Sequence, residues 1–154
     1  MEKKDRRYWD SNCFLGLLQS EPDKVEQCKS VFEEAEKGSV LIVTSALTLA
    51  EVVKLRGQEA IPANRQRIIV EFFKNEYIVV VNVTRFIAER ARELVWINGI
   101  DPKDAIHVAI ALDVKLLLFN TFDEGLLAKT KTVGDPPLRI EKPSFPNQMN
   151  LSFG

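Results

Sequence analysis

The sequence predicts an α/β fold, a three-layer α/β/α sandwich built on a parallel sheet. Three observations lead there. Apolar runs of strand length alternate with stretches of helical periodicity along most of the chain. Val40-Leu41-Ile42-Val43 is an unbroken apolar run of the kind a strand shows when helices cover both faces of its sheet. Four carboxylates stand at the ends of apolar stretches or inside them: Asp10 after Tyr8-Trp9, Glu51 within 47–55, Asp104 within 101–111 and Asp123 after 116–119. In open α/β sheets functional groups gather beyond the carboxyl ends of the strands, where Asp10 and Asp123 fall.

The elements follow in order. A short strand over 7–10 leads into a helix over 12–18 and a second over 23–37, in which Val25, Cys28, Val31, Phe32 and Ala35 recur at helical spacing and Gly38 ends the run. After the strand at 40–43, Ser45 caps a helix through Arg56, closed by Gly57. A helix over 62–74 precedes the strand 78–81, and a helix over 85–97 stops at Asn98-Gly99. Asp101-Pro102 restarts the chain as N-cap and first helical residue of a helix reaching Asp113. A strand over 116–119, a short helix over 123–129 and an edge strand over 138–141 complete the fold. The domain therefore spans 1–141, and 142–154, with Pro143, Pro146 and two asparagines, reads as a tail draped on the surface.

At 154 residues, 45% hydrophobic and 28% charged, the chain fits one soluble domain. No apolar run approaches the roughly 20 residues of a membrane span, and the charged start Met1-Glu2-Lys3-Lys4-Asp5 lacks a signal-type apolar stretch, so the expectation is cytoplasmic with no membrane partner. Cys13 and Cys28 are too few for a disulfide framework and read as buried thiols. The formal charge of -1 gives no argument for a polyanionic partner. Setting the four carboxylates aside leaves 21 basic against 18 acidic residues, or +3, so cations bound to them would make the site attractive to phosphate.

Carboxylates gathered in one pocket are costly. Two such charges about 5 Å apart repel by roughly 3 kcal/mol at an effective dielectric near 20, so they bind protons or metal. Hard oxygen ligands suit Mg²⁺ or Mn²⁺, which lower the pKa of a bound water and steady charge on a phosphodiester, so that no His or Lys base is required.

The blocks Tyr8-Trp9-Asp10-Ser11-Asn12, Thr48-Leu49-Ala50-Glu51-Val52, Pro102-Lys103-Asp104-Ala105-Ile106-His107-Val108-Ala109 and Asn120-Thr121-Phe122-Asp123 stand in this order on the expected elements. Together they resemble the four motif blocks of the PIN-domain nucleases, nearest the VapC-like toxin ribonucleases. The resemblance implies a five-stranded, mainly parallel sheet and a metal-dependent endoribonuclease that hydrolyses RNA. It also implies Asp10, Glu51, Asp104 and Asp123 as catalytic and metal-binding residues, with Ser11, Asn12 and Thr121 supporting them. Asp10 would be the central ligand, Asp104 and Asp123 would complete the shell, and Glu51 would bind through water or hold a second ion. Partners implied are RNA, an antitoxin protein that sends a basic side chain toward the acidic pocket, and a second copy in a homodimer.

Each residue also has a plainer reading. Asp10 could cap the helix that follows it; Glu51 could pair with Lys54 for about 0.3–0.5 kcal/mol; Asp123 could cap its own short helix. Asp101 is assigned to capping and Asp104 to metal. His107, the lone histidine, reads as a hydrogen-bonded structural residue in preference to a general base. Lys54, Arg56, Lys129 and Lys131 follow the site residues and are candidates for phosphate contact. A PIN-like RNA-binding or scaffold domain without catalysis is the alternative function, and the intact quartet argues against it. A phosphoacceptor receiver would need an acid where Val81-Asn82-Val83 stands, and an Asp-x-Asp phosphatase would need one at Asn12.

Overall fold

The structure, a computed structural model, describes residues 4–53 and 62–146. Its elements in chain order are β1 (Asp5–Trp9), α1 (Ser11–Leu18), α2 (Val25–Glu36), β2 (Val40–Ser45), α3 (Ala46–Glu51), α4 (Ala63–Phe72), β3 (Ile78–Val81), α5 (Arg85–Asn98), α6 (Pro102–Asp113), β4 (Leu118–Asn120), α7 (Glu124–Leu127) and β5 (Arg139–Glu141). All five strands pair in parallel, in the order β3-β2-β1-β4-β5. The predicted three-layer sandwich on a five-stranded parallel sheet is the observed fold.

Strand alternation on β1 divides the core. Tyr8 faces one layer, where Val43, Phe119 and Ile140 of the sheet meet Ile87 and Ala91 of α5, the apolar face of α6 from Ala105 to Ala111, and Leu126 of α7. Trp9 faces the other, packed with Cys13 and Phe14 of α1, Cys28, Val31 and Ala35 of α2, and Val40, Ile42 and Ile78 of the sheet. Its ring meets Phe14 edge-on at 5.1 Å, and Phe14 in turn meets Phe73 at 5.0 Å. Both cysteines are free and buried. Trp96, by contrast, is 74% exposed and takes no part in the core. Among the described residues no helix is long and apolar enough to cross a membrane.

Several boundaries move. Ser45 caps α3 as expected, its hydroxyl accepting from Leu47 N at 2.9 Å, but the helix ends at Glu51, and the predicted continuation to Arg56 and Gly57 lies outside the described residues from Lys54 onward. The fourth strand begins at Leu118 instead of Leu116. Lys115 takes a left-handed φ of 60° and Leu116 N donates to Ala111 O at 2.9 Å, so this stretch closes α6 before the strand can start. Asp101 occupies the N-cap position of α6, yet its side chain makes no capping bond, contrary to its assignment. Gly99 ends α5 in the left-handed conformation at φ 66°.

The C-terminal segment packs back on the body as far as it is described. Pro143 is buried, the Ser144 carbonyl accepts from Arg7 Nη1 at 2.9 Å, and Phe145 joins the second core layer beside the Arg7 guanidinium. Arg7 is itself buried and paired with Asp5 at 2.6 Å.

Among the described glycines Gly134 has the least room for a side chain. Its φ is +89°, and a Cβ there would stand 2.8 Å from Leu112 Cδ2 and 3.1 Å from the Pro136 carbonyl. Gly134→Ala should therefore lower stability by about 1–3 kcal/mol, read from the urea midpoint. An unchanged midpoint would contradict the packing of this turn against α6.

Candidate active site

The carboxyl edge of the sheet is organised from β1 outward. Thr44 Oγ1 donates to the Trp9 carbonyl at 2.7 Å and pairs with Thr48 Oγ1 at 2.7 Å, which fixes the last turn of backbone before Asp10. Asp10 holds the N-cap position of α1, but its side chain makes no capping bond, so the plainer reading of this residue fails. Its Oδ2 instead accepts from the Thr121 hydroxyl at 2.5 Å, while Oδ1 is buried without a hydrogen-bond partner. A buried, half-satisfied carboxylate is expensive in its charged form. Burial accordingly raises the Asp10 pKa to about 6, against the lowering pull of the Thr121 hydrogen bond.

Thr121 links this group to the next acid. Its oxygen also accepts from the Asp123 backbone N at 3.0 Å, so one hydroxyl joins the ends of β1 and β4. Asp123 does what its plainer reading proposed, with Oδ1 accepting from Gly125 N at 2.8 Å to cap α7. It also lies within hydrogen-bonding reach of Asp104, on the first turn of α6. Asp104 is pushed up to about 7 by burial, by the shared contact with Asp123 and by the negative charges of Asp123 and Asp10. Capping and metal ligation are compatible roles for Asp123, because a carboxylate has two oxygens.

Glu51 is held differently. Its Oε1 meets His107 Nε2 at 2.8 Å, one turn beyond Asp104 on α6. Burial works to raise Glu51, but the hydrogen bonds from His107 and Ser11 and the nearby Lys103 charge bring it below the usual carboxylate range. The acids are thus driven apart, Asp10 and Asp104 toward the protonated form and Glu51 toward the ionised one. Asn12, the remaining supporting residue, accepts from Phe122 N at 3.2 Å and ties α1 to the loop carrying Asp123.

The fold thus draws Asp10, Asp104 and Asp123 into one electrostatically coupled group, with Glu51 joined to it through His107. Among the described residues no three His, Cys, Asp or Glu side chains already stand as a metal-ligand cluster. The donor set nevertheless fits a hard divalent cation: all-oxygen ligands, two carboxyls that tend to hold protons, and a buried oxygen of Asp10 that no protein group satisfies.

A family model for the PIN domain matches residues 7–132. The chain belongs to the PIN-domain family. Two solved structures share its fold. One is a toxin–antitoxin complex from Klebsiella pneumoniae, 18% identical over 79% of this chain and 90% of that one, with a TM-score of 0.56. The other is Mycobacterium tuberculosis VapC20, a sarcin-ricin loop cleaving toxin, 16% identical over 79% of this chain and 93% of that one, with a TM-score of 0.62. Among curated proteins none matches.

Sequence reasoning missed Tyr8 as a member of this PIN-domain site. It is fully buried, and its hydroxyl meets His107 Nδ1 at 2.5 Å. Strand alternation gives the available signal, since Tyr8 must face the α5–α6 layer and His107 is the polar residue on the buried face of α6. The pairing of Glu51 with Lys54 cannot be placed, because Lys54 and Arg56 lie outside the described residues.

The Asp10 shift has a consequence for stability. Its folded pKa, about 6, lies above the ordinary 3.8, so its contribution is fully present below about pH 4 and is lost as pH rises through 6. The loss is at most about 3 kcal/mol in metal-free protein. Asp10→Asn cannot ionise, so the variant should gain on the wild type as pH rises from 5 to 8 in chelator, measured by urea denaturation. A stability gap that does not vary with pH would contradict the burial-raised carboxyl.

Proposed function

We propose that this PIN domain is a metal-dependent endoribonuclease and the toxin of a toxin–antitoxin pair, acting as a cytoplasmic homodimer. The observation that carries the reading is the acidic group itself, in which Asp10 Oδ1 is buried without a partner beside an Asp104 that tends to keep its proton. Membership of the PIN family supports nuclease chemistry. The shared fold with a Klebsiella toxin–antitoxin complex and with a sarcin-ricin loop cleaving toxin supports RNA as substrate and an antitoxin as partner.

Asp10, Asp104 and Asp123, with Glu51 at the margin, would hold Mg²⁺ or Mn²⁺. When bound, such an ion supplies Lewis acidity toward a phosphodiester and an acidified water as nucleophile. The chain's own residues prepare for this. Thr121 orients Asp10 through Oδ2 and leaves Oδ1 unengaged. Asp104 would give up its proton to serve as a ligand, and Glu51 is kept toward its ionised form by its bond to His107. Ser11 steadies Glu51, and Asn12 steadies the Phe122-Asp123 loop.

Incubation with single-stranded RNA and millimolar Mg²⁺ or Mn²⁺, resolved on a gel, should give cleavage that chelator abolishes. Asp10→Asn and Asp104→Asn should each reduce the rate by about 10²-fold or more while the protein stays folded. Unchanged cleavage in Asp10→Asn would refute its role. RNA bound but left uncut by the wild type would move the scaffold function to first place.

A further inference from the structure

We infer that His107 is a positioning residue for Glu51, held between Tyr8 and Glu51 so that its Nε2–H donates to Glu51 Oε1 and fixes that carboxylate. The inference rests on the metal-site reading and deepens it. The ring is 2% exposed, and each of its nitrogens has one partner: Tyr8 Oη at 2.5 Å on Nδ1 and Glu51 Oε1 at 2.8 Å on Nε2.

Proton inventory fixes the direction of the Glu51 bond. An ionised carboxylate only accepts, so Nε2 must carry a hydrogen. Nδ1 meets the buried Tyr8 hydroxyl, which can donate or accept, so Tyr8 holds the far side of the ring. The ring is also locked in orientation. Tyr8 stacks on Phe119 with centroids 4.8 Å apart and meets His107 edge-on at 5.6 Å, so the phenol that holds the ring is itself fixed in the core.

This arrangement has the form of an outer support for a metal ligand, in which a second group sets the orientation of the carboxylate that binds. A general base would need a free ring nitrogen, and both are engaged. His107 therefore acts through Glu51 and touches no substrate.

The single histidine makes the test direct, because the labelled imidazole gives one pair of ring-nitrogen signals. In metal-free protein at neutral pH, long-range proton–nitrogen spectra should give a protonated Nε2. With Mn²⁺ alone as probe, His107→Leu should weaken binding by about 10–100-fold, and His107→Gln, whose amide N–H can stand in for Nε2–H, should recover most of it. In a Glu51→Gln background, His107→Leu should change Mn²⁺ affinity by less than about twofold. A bare Nε2 in the wild type, or an equal His107→Leu effect with and without Glu51, would overturn the assignment. A wild type that binds no Mn²⁺ would remove the metal-site reading, while the state of Nε2 would still decide whether His107 donates to Glu51.

Discussion

Repulsion among carboxyls that the fold forces together is the constraint on which the rest of this structure depends. Asp10, Asp104 and Asp123 are carried to one edge by β1, α6 and β4, and no basic side chain is paired with any of them among the described ion pairs. Like charges so placed cannot all remain ionised without compensation. The metal-free protein answers with protons, raising Asp10 and Asp104, and with donors, through Thr121 and the N-terminus of α7. One oxygen of Asp10 still goes unsatisfied. A divalent cation would relieve all three acids together, which protons can do only one at a time.

Topology explains why the acids meet. β1 lies at the centre, with β2 on one side and β4 on the other, so the chain leaves adjacent strand ends in opposite directions and opens a crevice between them. Asp10 and Asp123 stand on its two sides, and Thr121 bridges it. Beneath the crevice Asn120 acts as a fastener. Its Oδ1 accepts from Arg7 and Trp9, each at 3.2 Å, and its Nδ2 donates to the Glu141 carbonyl at 3.2 Å, so the site rests on three tied strands. Side chains on strands and helices so tied are held more rigidly than side chains on loops alone.

Much of this was legible in the sequence because it depends on periodicity and on costly placements. The unbroken Val40–Val43 run, the Asn98-Gly99 stop and the Asp101-Pro102 start each follow from local chemistry, and the described elements form where expected within a few residues, save the helix after Ser45, which ends at Glu51. Thr121 donates to Asp10, and Asn12 accepts from the Phe122 backbone. What the sequence hid was partner choice. That Glu51 meets His107 depends on how α3 and α6 lie across the sheet edge, which no local pattern encodes. Tyr8 escaped notice because a tyrosine in a strand reads as core, and its hydroxyl acquires a role only when α6 packs over it. Asp101 was misassigned for a related reason, since the N-cap position does not oblige the side chain to turn back.

Proton release on metal binding tests the central claim most directly. If the acidic group trades protons for a cation, Mn²⁺ titrated into the protein at pH 6.5 should displace about one proton per ion, read by calorimetry in two buffers of different ionisation heat. The displaced fraction should fall toward zero by pH 8.5, above the raised values of Asp10 and Asp104. Mn²⁺ binding without proton release at pH 6.5, or no binding at all, would contradict a metal site built on these carboxyls.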